Sequence, residues 1–141
     1  MIRPRSLARR VAMQYLFMCD QSADWQGHSV DEFLVEHCEF PDGRSFAGEI
    51  IMAVRQEREN IDAVLSACAD HWRLERIAAV ERNILRVACA ELMRGLAPDK
   101  VVINEAVSLA KKFGAKDSSK FVNGVIGRAL KQIRESENAG G

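Results

Sequence analysis

Apolar side chains recur along this chain at intervals of three and four residues, the spacing of an α-helix with one buried face. In the first segment, Leu7, Val11, Tyr15 and Met18 share one face of a predicted helix. No segment shows the alternation of a strand, so the pattern predicts an all-α fold of about seven helices. The predicted helical segments cover about 6–19, 29–38, 44–71, 74–79, 80–94, 99–113 and 118–134.

The composition is that of a soluble globular protein. Apolar residues make up 48% of the 141 positions and charged residues 28%, which is enough for a core and argues against disorder. No apolar run is long enough to span a membrane, and Arg9 and Arg10 interrupt any signal-peptide pattern. The four cysteines lack zinc-type spacing and are expected to be reduced thiols, so we expect a cytoplasmic protein without a metal.

The net charge of zero conceals an uneven distribution of charge. Residues 1–19 contain four basic and no acidic residues, and residues 94–134 contain nine basic and three acidic residues. Residues 20–50 contain one basic and eight acidic residues. If the two basic segments meet in space, they form a cationic face suited to a polyanion such as RNA. The alternative is that these charges are scattered over solvated helix faces.

The first helix has a second feature on the side away from its apolar stripe. Arg9, Arg10, Met13 and Phe17 cluster there at helical spacing. Arginines beside a methionine and an aromatic ring are typical of an interaction surface. The alternative is that another helix of the same domain covers this side.

The start of the last helix is a candidate site for nucleic acid. Lys120, Gly124 and Gly127 lie opposite its apolar stripe, and Phe121 lies on the flank, just after the helix cap at Asp117 or Ser118. Open backbone, a lysine and an aromatic ring could bind a phosphate and a stacked base. The alternative is a surface lysine beside a half-buried phenylalanine.

The chain lacks the common motifs of catalysis. It contains no phosphate-binding glycine loop, nucleophile elbow or zinc-protease motif, so we expect neither an enzyme nor a cofactor. Glu91 falls within an apolar stripe, where a carboxylate needs a partner, and we expect it to form a structural salt bridge.

Four stretches resemble the NusB family of bacterial transcription antitermination factors. They are RRVAMQYLF at 9–17, VERNILRVACAEL at 80–92, VINEAVSLAKKFG at 102–114 and KDSSKFVNGV at 116–125. The most specific part is KFVNG at 120–124. The resemblance implies two packed helical subdomains, about 1–73 and 74–136, with a boundary near residues 72–79.

The resemblance also implies a function and partners. NusB-like proteins pair with NusE, bind single-stranded boxA RNA in ribosomal RNA leaders, and join the elongating RNA polymerase with other Nus factors. Family RNA contacts come from the arginine-rich N-terminus and the start of the last helix. The matching RNA-binding candidates here are Arg3, Arg5, Arg9, Arg10, Asp117, Lys120 and Phe121. The candidates for protein-partner contact are Met13, Phe17, Glu81 and Arg86.

The sequence departs from the family pattern in two places. Four other residues interrupt its arginine-rich run, and Phe17 occupies a position that often holds tyrosine. One alternative function is a helical interaction module or homodimer that uses the Met13 and Phe17 face without binding RNA. Similar domains also occur fused to ribosomal RNA methyltransferases, but the chain ends at Gly141 and we expect no cofactor domain.

Overall fold

The computed structural model describes residues 2–69 and 73–140, and the regular secondary structure in this part of the chain is entirely helical, with no β-strand. It contains six α-helices and one short 3₁₀ helix, which confirms the predicted all-α fold of about seven segments. The helices are α1 (Pro4–Ser22), α2 (Val30–His37), α3 (Pro41–Cys68), α4 (Ala79–Arg94), α5 (Asp99–Phe113) and α6 (Ser118–Gly140), with the 3₁₀ helix (Leu74–Arg76) between α3 and α4.

Two helices begin earlier than predicted, and both begin with a proline. Pro4 and Pro41 occupy the first turns of α1 and α3, where the missing N–H costs nothing and the fixed φ suits a helix. The predicted start of the first helix at Ser6 is therefore two residues too late, and Arg5 lies in the first turn of α1 rather than in a non-helical segment before it. The predicted end of the long helix at His71 lies outside the described residues; α3 ends at Cys68.

Helix α4 forms the centre of the molecule. Every residue from Asn83 to Leu92 is buried, because α1, α3, α5 and α6 all pack around this helix. A helix buried on all sides must provide partners for its polar side chains. We therefore expect the polar residues of α4 to be buried rather than exposed.

The two predicted subdomains pack against each other extensively, since α1 and α3 contact α4, and α3 also contacts α6. The division itself stays a prediction. Its predicted boundary begins at Trp72, which lies outside the described residues, and continues through the 3₁₀ helix into α4. Within the described ranges, no helix is both long and apolar enough to cross a membrane.

Candidate nucleic-acid and protein interface

The loop between α5 and α6 is held in place by the central helix. The carboxylate of Glu81 accepts a hydrogen bond of 2.7 Å from the Ser118 hydroxyl and one of 3.2 Å from the Ala115 backbone N–H. Gly114 packs so tightly here that an added Cβ would lie 2.7 Å from Glu81 Oε1 and 2.6 Å from the Ser118 Cβ. The close approach of Ser118 and Glu81 therefore requires glycine at position 114, and the hydrogen bonds of Glu81 set the conformation of the loop.

This loop presents the three predicted RNA-binding residues of the C-terminal segment together. Asp117 adopts a positive φ of 69° just before α6, and its side chain is exposed. Lys120 is exposed in the first turn of α6, and Phe121 beside it is half-buried against the core. An added Cβ at Gly124 would meet nothing closer than the Arg128 guanidinium at 3.5 Å, so the backbone one turn further along is accessible.

A second cluster joins the start of α1 to the end of α5. The Arg10 guanidinium lies 5.4 Å from the ring centroid of Phe113, beside the exposed Lys111 and Lys112. This contact brings the two basic segments of the sequence together, which the sequence alone had left open. The Nε atom of Arg10 is buried and has no hydrogen-bond partner within the described part of the chain.

Sequence reasoning missed Phe113, which is 38% exposed at the end of α5. The available signal was an aromatic residue directly after two lysines and directly before the glycine that ends the helix. Arg3 and Arg5 are also exposed, and the Arg5 guanidinium lies 4.4 Å from the centroid of the Phe46 ring. A cation held over an aromatic face keeps its charge available to an anion.

Arg9 does not belong to this surface, and its predicted exposure on an RNA-binding face is wrong. Its side chain is buried, and its Nε donates to both carboxylate oxygens of Glu91 at 3.0 and 2.9 Å, with Nη2 also donating at 2.9 Å. The predicted salt bridge of Glu91 is thereby confirmed. Burial raises the pKa of Glu91, and the hydrogen bonds from Arg9 oppose this effect.

The predicted exposure of Met13 is also wrong, because only 3% of this residue is accessible. Met13 belongs to the hydrophobic core, and α1 packs against α3 and α4, in agreement with the alternative considered from the sequence. Phe17, one turn further along, remains 36% exposed, as predicted. The apolar part of the candidate partner surface on α1 is thus reduced to Phe17.

Glu81 and Arg86 were predicted to contact a protein partner, yet each is only 5% exposed. Arg86 donates hydrogen bonds to Asp20 at 2.9 Å and to Asp62 at 2.9 and 3.0 Å, which links α1, α3 and α4. Burial raises the pKa of Asp20, but hydrogen bonds from Arg82 and Asn83 outweigh it and keep that pKa below its ordinary value. Both side chains are therefore held by hydrogen bonds within the protein, and their contact with a protein partner stays a prediction.

The four cysteines lie in the interior of the protein and are all buried. No group of His, Cys, Asp and Glu residues in the described ranges could hold a metal ion. Burial raises the pKa of the Cys89 thiol to about 12, so this thiol stays protonated at neutral pH.

Comparisons with known proteins agree on one family. The sequence model of the NusB family matches residues 6–131. The transcription antitermination protein NusB of Sorangium cellulosum is 37% identical over 92% of this chain and 93% of its own length. That of Desulfotalea psychrophila is 40% identical over 86% and 92% of the two chains.

Solved structures of similar proteins show the same fold. NusB from T. maritima superimposes with a TM-score of 0.81 at 29% identity, covering 94% of both chains. A crystal structure of the antitermination factors NusB and NusE in complex with double-stranded RNA matches with a TM-score of 0.77 at 28% identity, covering 94% of this chain and 99% of the other.

Proposed function

The chain belongs to the NusB family of transcription antitermination factors, and we propose that it binds boxA-type RNA of ribosomal RNA leaders together with a NusE partner. The complex would then join the elongating RNA polymerase in the cytoplasm with other Nus factors. The observation that most directly supports this proposal is the α5–α6 loop, which Glu81 fixes so that Asp117, Lys120 and Phe121 lie side by side.

The chemistry of this surface suits a single strand of RNA. Lys120 and the basic cluster around Arg10 supply charge for phosphates, and Phe121 and Phe113 supply aromatic faces for unstacked bases. Phosphate contacts position an RNA without selecting its sequence, so the aromatic residues and the loop must supply the selectivity. These charged and aromatic side chains are sufficient for RNA binding, which involves no catalysed reaction.

The exposed ring of Phe17 supports a separate surface for NusE on α1. A homodimer through the same face is less well supported, because the burial of Met13 leaves a small apolar patch. Sedimentation velocity distinguishes the two. We expect a monomer that forms a one-to-one complex with NusE; a stable dimer that Phe17→Asp dissociates would favour the interaction-module alternative.

The decisive experiment for the function is a titration of boxA RNA against this protein with and without NusE, beside a scrambled RNA of equal length. We expect the complex to prefer boxA. Lys120→Glu should weaken binding of both RNAs, while Lys131→Glu, three turns along the same helix and also exposed, should leave binding nearly unchanged. Equal affinity for the two RNAs, with and without NusE, would contradict the proposal.

A further inference from the structure

A cavity of about 370 Å³ opens between the α5–α6 loop and the segment that leads into α4. Ile77 and Ala78 contribute apolar wall on one side, and the ring of Phe121 contributes it on the other. Cavities of this size, with apolar walls and a few fixed polar groups, are typical of sites for small organic molecules. A flat aromatic group such as a nucleobase fits walls of this chemistry.

Two carboxylates line the cavity, that of the exposed Asp117 and that of the nearly buried Glu81, and the second is held in a fixed position. Both of its hydrogen bonds, from Ser118 and Ala115, go to Oε1. Oε2 has no hydrogen-bond partner within the described ranges, although the residue is only 5% exposed and lines the cavity. This oxygen is accessible at the cavity as an acceptor without a donor from the described residues, and it favours a ligand that brings an N–H group.

Two positively charged side chains border the same cavity. Arg76 and Lys116 line it, both are exposed, and neither side chain forms an ion pair within the described part of the chain. The backbone N–H of Arg76 bonds to Arg73, which fixes its position in the 3₁₀ helix while leaving the guanidinium free. Such a guanidinium is suited to the phosphate of a nucleotide whose base occupies the cavity.

We propose that this cavity holds one unpaired nucleobase of the bound RNA, stacked on Phe121, and selects a base with an exocyclic amino group through Glu81. Arg76 binds the adjoining phosphate. The proposal rests on the proposed RNA-binding function and adds a base-selective site to it. An amino group donates to the free carboxylate oxygen, whereas the carbonyl of uracil would face that oxygen with a second acceptor.

The test of base selection uses a series of boxA RNAs with one abasic position each, bound to the complex of this protein with NusE. We expect one position at which removal of the base weakens binding about tenfold, the effect of one lost stacking interaction. Changing the base there from cytosine to uracil, or from adenine to purine, should also weaken binding. In Phe121→Ala the same abasic substitution should have little further effect.

Glu81→Gln reverses the polarity of the site with little change in shape. The amide oxygen can still accept the hydrogen bonds from Ser118 and Ala115, and the NH₂ group then replaces Oε2 as the group in the cavity. We expect the preference at the sensitive position to shift from the amino-bearing base towards uracil. An unchanged preference in a folded Glu81→Gln variant would overturn the role of Glu81.

Arg76→Ala has a matched control in Arg73→Ala. Both arginines are exposed and belong to the same short segment, but only Arg76 lines the cavity. We expect Arg76→Ala to weaken binding several-fold and to reduce the log–log salt slope by about 0.7, as for one phosphate contact to a single strand, and Arg73→Ala to do neither. Equal effects of the two variants would overturn the assignment of Arg76.

The outcomes separate this proposal from the function on which it rests. If the wild-type complex prefers boxA but no single base is sensitive to Phe121, the cavity proposal fails and the antitermination function stands. If the complex shows no preference for boxA at all, the proposed function itself fails.

Discussion

The hydroxyl of Ser118 donates a hydrogen bond of 2.7 Å to the carboxylate of Glu81, and this bond joins the start of α6 to the first turn of the central helix. Because α4 is buried on all sides, the bond fixes the α5–α6 loop relative to the core of the protein. An interface on this loop is therefore pre-organised, which lowers the entropy lost when a ligand binds.

Gly114→Ala tests the close packing in this loop. Its new Cβ would lie 2.6 Å from the Ser118 Cβ and 2.7 Å from the backbone oxygen of Ala110, so the loop or the helix must shift. We expect a loss of about 1–3 kcal/mol in the free energy of unfolding, as in other overpacked sites, and weaker RNA binding. Urea denaturation and RNA titration provide the two measurements.

Gly127→Ala is the matched control for that substitution. A Cβ there meets nothing within 4 Å, so alanine should stabilise α6 by up to about 1 kcal/mol through its higher helix propensity. If both glycine variants were equally destabilised, close packing at Gly114 would not be the cause.

Arg9→Ala tests the corrected role of Arg9. Loss of this side chain leaves the buried carboxylate of Glu91 without its partner, which is expected to cost about 3–5 kcal/mol of stability. Arg10→Ala, at the next position, should change the melting temperature little and lower RNA affinity, because Arg10 is only half-buried and has no carboxylate partner among the described residues. If Arg9→Ala instead lowered RNA affinity with little loss of stability, and Arg10→Ala destabilised the protein, Arg9 would belong to the RNA-binding surface.

Much of the fold could be predicted from the sequence because the apolar spacing of each helix is regular. The helix starts at Pro4 and Pro41 were missed, since a proline is compatible with either a turn or the first helical position. The salt bridge of Glu91 was predicted because a carboxylate within an apolar stripe requires a partner. The identity of its partner, Arg9, was not predicted, because the two residues are 82 positions apart in the sequence.

The candidate site was predictable only where the side chains point outward. Lys120 and Phe17 are exposed, as their helix positions indicated. Arg9, Glu81 and Arg86 resemble surface residues in the sequence, but a charged residue can equally be buried when its partners come from distant helices. The helical pattern gives the face of a residue and does not give the helices that cover that face.

The salt dependence of RNA binding tests the number of phosphate contacts. With Arg9 buried, the candidates are Arg3, Arg5, Arg10 and Lys120, together with Arg76 at the cavity. At about 0.7 per phosphate contact to a single strand, five contacts predict a log–log slope of roughly −3.5. The measurement is affinity across a series of potassium chloride concentrations, and a slope near zero would contradict the existence of a cationic face.

Phe17→Asp tests the protein partner surface. Because the ring is 36% exposed, an aspartate there should leave the circular dichroism spectrum and the melting temperature nearly unchanged while weakening the binding of NusE. Met13→Asp is the contrasting variant, since burying a carboxylate at a 3% exposed position should unfold the protein. Unfolding of the Phe17 variant would instead identify Phe17 as a core residue.

Phe121 combines a core contact with a proposed base-stacking role, and two variants separate these roles. The ring is half-buried and packs against the core beside the buried Val122 and Val125. Phe121→Ala removes both contributions, so it should lower stability by less than the about 3–5 kcal/mol of a fully buried ring, and weaken RNA binding. Phe121→Leu keeps most of the apolar contact and removes only the π face.

We therefore expect the melting temperature of Phe121→Leu to stay close to that of the unchanged protein while RNA affinity falls about tenfold, within the about 1–3 kcal/mol of one base–aromatic stack. Differential scanning calorimetry and RNA titration of the same samples give both quantities. If Phe121→Leu bound RNA as tightly as the unchanged protein, Phe121 would contribute only packing, and base stacking would have to come from Phe113, whose ring is the other exposed aromatic face beside the basic residues.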